Sequence, residues 1–512
     1  MRGDELRLAD LLAALSLTTD LAMGQEPEKA IRATVVATEL ARRMDLPETD
    51  VADVYYTTLL KHLGCTASAH EEAHLFGPDE LGMRRVAERT DPTRTRERLE
   101  LMRMTGRGAG LGRLRYVARA AAAGTAATDA IFHAVCEVGA GMAERLGLGD
   151  GVRRALFESL ERWDGKEGPQ GLRGEGIALP ARIAEPATQA VIFHRLGGSD
   201  AALAMVERRS GGMFDPAVAE AFRAVGPSTL ERLDREDAWA AVLEAEPEPV
   251  RTIPPDRVDA VAEAFADMVD LKTPFTLGHS AGVAELAAAA AERLGVPEPR
   301  AVRRAALLHD LGRTAVATGV WEKPGALSTT EWEQVRLHPY QTERILARST
   351  ALAPLARAAG MHHERQDGSG YHHGASGGEV PIEARLLAVA DTYRATIEPR
   401  PHRPARSPDE AADLVASEAR SGRLDPECVR AILEAAGRPA RVRGAWPADL
   451  SDREVEVLRL VARGSSNAAI AEELVISRRT AEHHVQHIYG KIGVSTRAAA
   501  AMFAMEHGLL RD

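Results

Sequence analysis

An internal repeat constrains the fold of this chain more than any other sequence feature. The stretches ERWDG...LPARI (161–183) and ERQDG...IEARL (364–386) agree at one offset, because Glu364 and Glu161 are 203 positions apart, as are Arg385 and Arg182. Each copy then closes with a similar phrase, RSGGMFDPAV at 209–218 and ARSGRLDPECV at 419–429. An internal duplication is the economical explanation, so two related folded units are expected.

Two joints divide the chain. EPEPVRTIPPDR (246–257) is rich in proline, and GRPARVRGAWPAD (437–449) is rich in proline and arginine. Proline lacks a backbone donor and disfavours helix, so both stretches are predicted to be linkers. The 512 residues are also too many for one ordinary domain. We therefore expect three parts: a first unit at 1–245, a second unit at 258–436 and a third unit at 446–512.

Composition indicates helices and a reducing compartment. Only 4% of the residues are aromatic, and long stretches are rich in Ala, Arg and Glu, so an all-α fold is expected: two tandem helical units and a four-helix C-terminal domain. The net charge of −11 leaves room only for a local nucleic-acid surface. Cys65, Cys136 and Cys428 form no CxxC spacing, and neither a signal peptide nor a membrane span is evident, so a cytoplasmic protein is expected.

Imidazole and carboxylate side chains recur through the second unit. Taken singly, His279 fits a hydrogen-bonded core histidine, His338 a helix-end residue and Asp391 a cap. Taken together, such groups on the apolar faces of several helices are costly unless they are paired or bind metal. Nitrogen and oxygen ligands without thiolates favour Fe, Mn or Zn ions and disfavour a structural zinc site. The proposed ligands are His279, His309, Asp310, His338, His362, His363 and Asp391.

Four ordered motifs carry a family resemblance over about 275–430: LLHDLG, WEKPGALSTTEWEQVRLHP, HHERQDGSGY and ARLLAVADTYRA. Together they resemble the HD-GYP phosphohydrolase family. The resemblance implies an all-helical domain with two or three metal ions that hydrolyses cyclic di-GMP or a related phosphoester. It also implies that the seven residues above are the metal ligands, with Asp310 bridging two ions.

Three positions depart from that family pattern. Arg313 stands where the family usually has lysine near the scissile phosphate, which retains the charge but not the compact ammonium. His372 replaces the proline of the GYP signature. Phe275 stands where three-metal members carry glutamate, so two ions are expected. The predicted catalytic residues are Asp310, Arg313 and Lys323, while His372, His373 and His402 are expected to be solvent-exposed.

The first unit lacks this set of ligands. It offers LLKHLG, with Lys61 and His62, against LLHDLG, and Ser159 and Leu160 stand opposite the paired histidines. Opposite Asp391 is Thr188. Because ammonium and leucine side chains cannot coordinate a metal, the first unit is predicted to be a degenerate copy that serves dimerisation, scaffolding or ligand sensing.

The third unit has helix-turn-helix spacing. Ser451 and Glu454 form a capping-box pattern, and Gly464 is predicted to stop the first helix. A short helix at 467–474 is followed by Ser477 as N-cap of a longer helix at about 478–491. A generic helical hairpin would give the same local pattern.

The whole window from 450 to 500 resembles the LuxR-type DNA-binding domain, through REVEVL, GSSNAAIAEEL and IS..T..HHV..I..KIGV.TR. This resemblance implies that the last helix of the motif reads DNA and that nearby basic residues contact phosphates. Between 476 and 500, four basic residues face one acidic residue, which confines positive charge to the reading end. The implied contacts are Arg478, Arg479, Thr480, His483, His484, Lys491 and Arg497.

The favoured hypothesis is a DNA-binding transcriptional regulator, expected to be a homodimer, whose metal-dependent phosphohydrolase module acts on cyclic di-GMP or another phosphoester. A second hypothesis is a regulator whose HD-type module senses metal or nucleotide without turnover. A third treats the chain chiefly as an enzyme with a C-terminal dimerisation appendage, which the capping box and the local basic end disfavour.

Overall fold

A computed structural model of the chain describes residues 6–438, 447–507 and 509–510. Helices dominate it, which confirms the all-α prediction, and two short strands, β1 (Leu6–Arg7) and β2 (Thr252–Ile253), pair antiparallel. None of the described helices combines the length and apolar character needed to cross a bilayer. The helices are α1 Leu8–Ala22, α2 Lys29–Arg43, α3 Glu48–Leu59, α4 Ala69–Phe76, α5 Glu80–Ala87, α6 Thr95–Met104, α7 Arg113–Arg145, α8 Asp150–Phe157, α9 Leu179–Arg209, α10 Pro216–Leu233, α11 Ala238–Ala245, α12 Arg257–Asp270, α13 His279–Arg293, α14 Pro299–Leu307, α15 Thr318–Trp321, α16 Thr329–Arg336, α17 His338–Leu346, α18 Ala353–Gly360, α19 Ile382–Ile397, α20 Pro408–Arg420, α21 Pro426–Ala435, α22 Asp452–Ala462, α23 Asn467–Glu473, α24 Arg478–Ile492 and α25 Arg497–Glu506.

The duplication is visible in the backbone at the start of α2 and of α13. Glu28 and Gly278, the residues just before these helices, both adopt a left-handed conformation, with φ of 74° and 73°. Asp20 and Asp270 each accept a hydrogen bond from the backbone N–H of the second residue of the helix, at 3.1 and 2.9 Å. The two units therefore begin the equivalent helix in the same way, nine residues after the equivalent aspartate.

The first and second units share one continuous hydrophobic core, which runs from Leu8 to Leu433. Helix α1 of the first unit also packs against the second unit. The hydroxyl of Thr314, in the second unit, donates to the carbonyl of Thr18 at 3.2 Å, and the hydroxyl of Ser349 donates to the buried carboxylate of Asp10 at 2.7 Å. The two units are therefore packed together through the first helix of the chain.

The predicted linker at 246–257 has a structured role at this junction. It carries β2, whose residue Ile253 pairs with Leu6 of β1. Glu246, the first residue of this stretch, accepts a hydrogen bond from the hydroxyl of the buried Tyr56 at 2.7 Å and forms an ion pair with Arg7 at 2.5 Å. The joint thus fastens the start of the chain to the boundary between the two units.

The third unit has a hydrophobic core of its own, built from α22 to α25. The predicted capping box is present, because the Ser451 hydroxyl accepts from the Glu454 backbone N–H and the Glu454 carboxylate accepts from that of Ser451. The predicted N-cap Ser477 accepts from the backbone N–H of Thr480 at 3.1 Å. Helix-turn-helix spacing is confirmed. Most of the second predicted linker, at 437–449, lies outside the described residues.

Candidate metal centre

Three histidines of the second unit lie at equivalent places, each two residues after the end of a helix. His309 follows α14, His338 follows α16 and His362 follows α18. The last carbonyls of a helix have no partner within the helix, and here each accepts a hydrogen bond from the histidine Nδ1. A ring whose Nδ1 carries the proton presents Nε2 as the ligand atom. The accepting carbonyls, each 2.6 Å from Nδ1, are those of Ala306, Val335 and Ala359.

The carboxylate of Asp310 lies between two sets of imidazoles. Its Oδ2 is 3.5 Å from Nε2 of His309 and 4.0 Å from Nε2 of His279. Its Oδ1 is 3.3 Å from Nε2 of His338 and 3.7 Å from Nε2 of His362. One carboxylate therefore faces two ligand sets with its two oxygens, as the resemblance implied for a bridging residue.

All seven ligands predicted from the sequence are brought together. One group of His279, His309 and Asp391 and another of His338, His362 and His363 each have ligand atoms within 4.8 Å of one another. Six of the seven side chains are buried and His363 is half-buried. Helices α13, α17 and α19 and the ends of α14 and α18 supply them.

The donor set fits a divalent cation. Nε2 of His309 is buried, and among the described residues it has no hydrogen-bond partner. Such a nitrogen is costly unless a ligand takes it. Burial lowers the pKa of His362 to about 3, so this imidazole is neutral and its lone pair is available. Unprotonated imidazoles and carboxylates without thiolates suit Fe, Mn or Zn.

The two carboxylates of the centre are held ionised. Burial alone would raise the pKa of Asp310, but His309 and Arg313 beside it keep that pKa well below its usual range. The pKa of Asp391 is likewise well below its usual range, because the hydrogen bond from His279 outweighs the effect of burial. Two permanent negative charges in a buried site favour a cation between them.

Glu398 belongs to the centre and was not predicted. Nδ1 of His279 lies 2.8 Å from its carboxylate, and Nε2 of the same ring lies 3.1 Å from Asp391. Burial would lower the pKa of His279, yet these two carboxylates raise it to about 9. Glu398 is the residue just after α19, with an extended backbone, so helical periodicity in the sequence does not place it.

The two predicted phosphate-binding cations differ in their surroundings. Arg313 donates to Oδ2 of Asp310 at 2.9 Å, and its guanidinium lies 4.2 Å from the centre of the Trp321 ring. Lys323 forms an ion pair with Glu331 at 2.6 Å, at the start of α16. Arg313 therefore contacts the centre directly, whereas Lys323 is held by the neighbouring helix.

The loop that departs from the GYP signature packs beside the centre. The ring of Tyr371 lies 4.9 Å from that of His363. His373 and His372 lie 2.8 and 3.4 Å from the carboxylate of Glu343. His402 and His373 are exposed, as expected, but the expectation was wrong for His372, whose side chain is only 16% exposed because it folds against Glu343 and the ring of Tyr340.

Ion pairs occupy the equivalent place in the first unit. Lys61, which stands opposite His309 in the LLKHLG motif, forms a buried ion pair with Glu185 at 2.6 Å. His62, opposite Asp310, lies 2.7 Å from Glu88, which is also paired with the fully buried Lys29. Thr188, opposite Asp391, donates its hydroxyl to the carbonyl of Ala184 in its own helix.

Lys29 was not recognised as part of this cluster. It is the first residue of α2, as His279 is the first residue of α13. An ammonium group therefore starts the helix in one unit where an imidazole starts it in the other.

The predicted DNA contacts fall into two sets. Those at the start of α24 are exposed, except His484, which is half-buried: Arg478, Arg479, Thr480, His483 and His484. The two further predicted phosphate contacts bind within the domain. Lys491 lies 2.8 Å from Glu454, and Arg497 donates to the Ser465 carbonyl at 2.5 Å. The exposed set is grouped on one end of one helix, as the sequence predicted.

Comparison with known proteins agrees with this architecture. A model of the HD domain family matches residues 263–428, and a model of bacterial regulatory proteins of the luxR family matches residues 448–504. The 3′3′-cGAMP-specific phosphodiesterase 3 of Vibrio cholerae is 30% identical over 434 residues, which cover 84% of this chain and 94% of that protein. A cyclic di-GMP phosphodiesterase response regulator of Xanthomonas campestris is 38% identical over 175 residues, which cover 33% of this chain and 44% of that protein.

A solved structure shows the same arrangement of both helical units. The crystal structure of a cyclic GMP-AMP specific phosphodiesterase of V. cholerae superposes with a TM-score of 0.59 at 26% identity, over 85% of this chain and 98% of that chain. Family, fold and ligand geometry agree. The chain therefore belongs to the HD-GYP family of HD-domain proteins, and a LuxR-type helix-turn-helix domain follows its HD domain.

Proposed function

We propose that this chain hydrolyses a cyclic dinucleotide at the metal centre of its second unit and regulates transcription through its LuxR-type domain. One observation carries the enzymatic half: Nε2 atoms from four histidines face the two oxygens of Asp310, and Nε2 of His309 is buried among them with no partner within the described structure. A site with that arrangement is built for cations.

Two divalent ions, Fe, Mn or Zn, are proposed as cofactors. The residues for one ion are His279, His309 and Asp391, those for the other are His338, His362 and His363, and Asp310 lies between the two groups. When bound, such ions polarise a phosphoryl oxygen and lower the pKa of water enough to supply hydroxide.

The protein supplies positioning and charge. Asp310 and Asp391 remain ionised and would hold the cations. The carbonyl contacts of His309, His338 and His362 fix which ring nitrogen faces inward. Arg313, next to Asp310, is proposed to bind the phosphate oxygens, and Lys323 to bind the second phosphate of a cyclic substrate. As both are cations, they also compensate the charge of a dinucleotide.

The substrates to test are cyclic di-GMP and 3′3′-cGAMP, because the relatives named above act on these two messengers. Purified protein loaded with Mn²⁺ or Fe²⁺ would be assayed against both, beside His309→Ala and Asp310→Ala. His402→Ala, an exposed histidine outside the centre, is the matched control. Turnover that is lost in the first two variants and kept in the control supports the enzyme; bound metal without variant-sensitive turnover contradicts it.

A second function is favoured by one contact. Arg313 already occupies Oδ2 of Asp310, and the proline of the family signature is His372, so the centre could bind a nucleotide without turning it over. In that case the chain is a sensing regulator. Calorimetry would then show binding of cyclic di-GMP or 3′3′-cGAMP to the metal-loaded protein while both nucleotides are recovered intact.

DNA binding is proposed to use the exposed start of α24. Arg478 and Arg479 precede the buried Ala481, so they extend from the helix end away from the domain core. Genome-wide binding and gel-shift affinity are expected to fall in Arg478→Ala with Arg479→Ala, because both cations contact DNA. Arg453→Ala, which removes an arginine paired with Glu456 on α22, is the control. Unchanged binding in the double variant would contradict α24 as the reading helix.

A homodimer and a cytoplasmic location are further parts of the proposal. Exposed apolar side chains on α6, in the turn before α7 and at the start of α7 support a homodimer: Leu99, Met102, Leu111 and Leu114. A cytoplasmic location is proposed, since chromosomal DNA and cyclic dinucleotide messengers meet there. Light scattering of the wild type and of Leu111→Glu with Leu114→Glu tests the dimer, which the two charges should dissociate.

A further inference from the structure

We infer that His70, His74 and Glu322 form a second divalent-metal site, separate from the HD centre, at the contact between the first and second units. His70 and His74 lie on α4 of the first unit, and Glu322 follows α15 of the second unit. Their ligand atoms lie within 4.8 Å of one another. A divalent ion such as Zn²⁺, bound at this site, would link the two units.

The distances match a site that needs little rearrangement. Nδ1 of His70 is 2.7 Å and Nδ1 of His74 is 4.0 Å from the two oxygens of Glu322, and the two rings lie 4.4 Å apart. Ligand atoms about 2.0–2.1 Å from a tetrahedral zinc ion are separated by roughly 3.4 Å. The His70–Glu322 separation is shorter than that value and the His74–Glu322 separation is longer. Small rotations of these side chains would therefore complete the coordination.

The sequence around α4 has the spacing of a helical metal site. Residues 70–74 read HEEAH, and histidines at i and i+4 project from one helical face. Glu72 is held away by Arg84 at 2.7 Å, while Glu71 is exposed. The third ligand comes instead from Glu322, so two histidines and one glutamate supply the set typical of zinc bound with one open position.

The glutamate is held in place and the opposite side is open. The hydroxyl of Thr273 donates to Oε1 of Glu322 at 2.8 Å, and such outer contacts fix the orientation of a ligating carboxylate. The Glu322 side chain is 10% exposed, whereas that of His74 is 61% exposed. A water molecule can therefore take the fourth position, and an ion can enter from solvent.

The location gives such an ion a role at the HD centre. The residue before Glu322 is Trp321, whose ring stacks on Arg313 and whose indole N–H donates to the Arg313 carbonyl at 3.2 Å. The residue after it is Lys323. An ion held between α4 and Glu322 would thus fix against the first unit the segment that carries Lys323 and whose Trp321 contacts Arg313.

Metal counting tests this site directly. Wild type, His74→Ala and Glu322→Gln would be saturated with Zn²⁺, freed of excess metal and measured by mass spectrometry, with Co²⁺ absorption as a second readout. His194→Ala is the control, because His194 also pairs with a carboxylate of the first unit, Asp234, at 2.8 Å. We expect each of the first two variants to bind one ion per chain fewer than the wild type.

Two outcomes would overturn the inference. The first is an equal number of ions in the wild type and in His74→Ala and Glu322→Gln. The second is the same loss in His194→Ala, which would show that the count responds to any histidine removed from the first unit. Because His74 is exposed, its variant is expected to fold, and circular dichroism with gel filtration confirms this before counting.

Discussion

The first and second units begin alike and differ at their centres. In the second unit, His279 starts a helix and His309 and Asp310 follow the next one; in the first unit, Lys29 and then Lys61 with His62 stand at those places. The second unit presents imidazoles to a shared carboxylate. The first unit presents ammonium groups to Glu88 and Glu185.

The difference shows two ways to balance buried carboxylates. A buried negative charge needs a cation nearby, because desolvation otherwise costs several kcal/mol. In the first unit the cation is covalently part of the chain and cannot exchange. In the second unit, metal ions are proposed to take that place, where they would also bind substrate oxygens. The charge balance of the first unit does not depend on a metal, because its own lysines supply the cations.

The largest expected effect comes from substituting equivalent positions of the two units, Asp310 in the second and His62 in the first. Asp310→Asn should reduce phosphodiesterase activity more than about a thousandfold, since ion binding and the activation of water are lost together. His62→Asn, at the equivalent position of the first unit, should leave activity within about twofold of the wild type. Steady-state rates on cyclic di-GMP and 3′3′-cGAMP measure both; equal losses would show that the first unit takes part in the chemistry.

Removing a fixed cation should destabilise the first unit. Lys61→Met leaves the carboxylate of Glu185 buried without its partner, and we expect the free energy of unfolding to fall by about 4 kcal/mol. Adding Glu185→Met should restore most of that loss. His309→Met in metal-free protein should cost less, about 1–2 kcal/mol, because only the hydrogen bond to the Ala306 carbonyl is lost.

Urea unfolding followed by circular dichroism distinguishes these variants. If the double variant is no more stable than Lys61→Met, the pair does not act as a unit and the proposed charge balance is wrong.

Acid should affect the first unit through His62. Burial lowers the pKa of this imidazole from 6.5 to about 4. Since the unfolded chain binds the proton more readily, stability is complete above pH 6.5 and is lost as the pH falls towards 4, by roughly 3 kcal/mol in total. His62→Gln should remove this part of the pH dependence in urea titrations between pH 7 and 4. An unchanged slope in that variant would assign the dependence to other groups.

The smallest expected change is a partial reversal. Lys61→His with His62→Asp rebuilds the HD pair in the first unit, yet Ser159, Leu160 and Thr188 still supply no ligands. We expect the number of bound Mn²⁺ ions per chain to stay at the wild-type value. One additional ion, measured by mass spectrometry, would show that the HD pair alone suffices for binding.

Most of the fold was predictable because local signals agreed with one another. Composition predicted the all-helical fold, and the capping box of Ser451 with Glu454 was found as predicted. The packing of α1 against the second unit was not predictable. Its contacts, such as Thr314 with the Thr18 carbonyl, join residues about 300 positions apart, and no local pattern records them.

Sequence motifs predicted most residues of the metal centre. They did not predict residues whose contacts depend on the three-dimensional arrangement of the helices. The seven predicted ligand side chains lie close together, and six of them belong to the four quoted motifs; His279 does not. Glu398 has no motif, and its part depends on where α19 ends. The pairing of Arg313 with Asp310 and of Lys323 with Glu331 likewise depends on side-chain direction, which a sequence spacing does not fix.

The pairing of β1 with β2 and the burial of α1 against both units have an evolutionary consequence. Once a duplicated copy contributes a helix to the core of its sibling, deleting that copy exposes the sibling's interior, so natural selection keeps it even after its chemistry has gone. The first unit would then persist as an obligatory half of a single folding unit. In a degenerate copy, as predicted from the sequence, the positions equivalent to the metal centre would be free to change, while the surfaces that pack against the second unit would not.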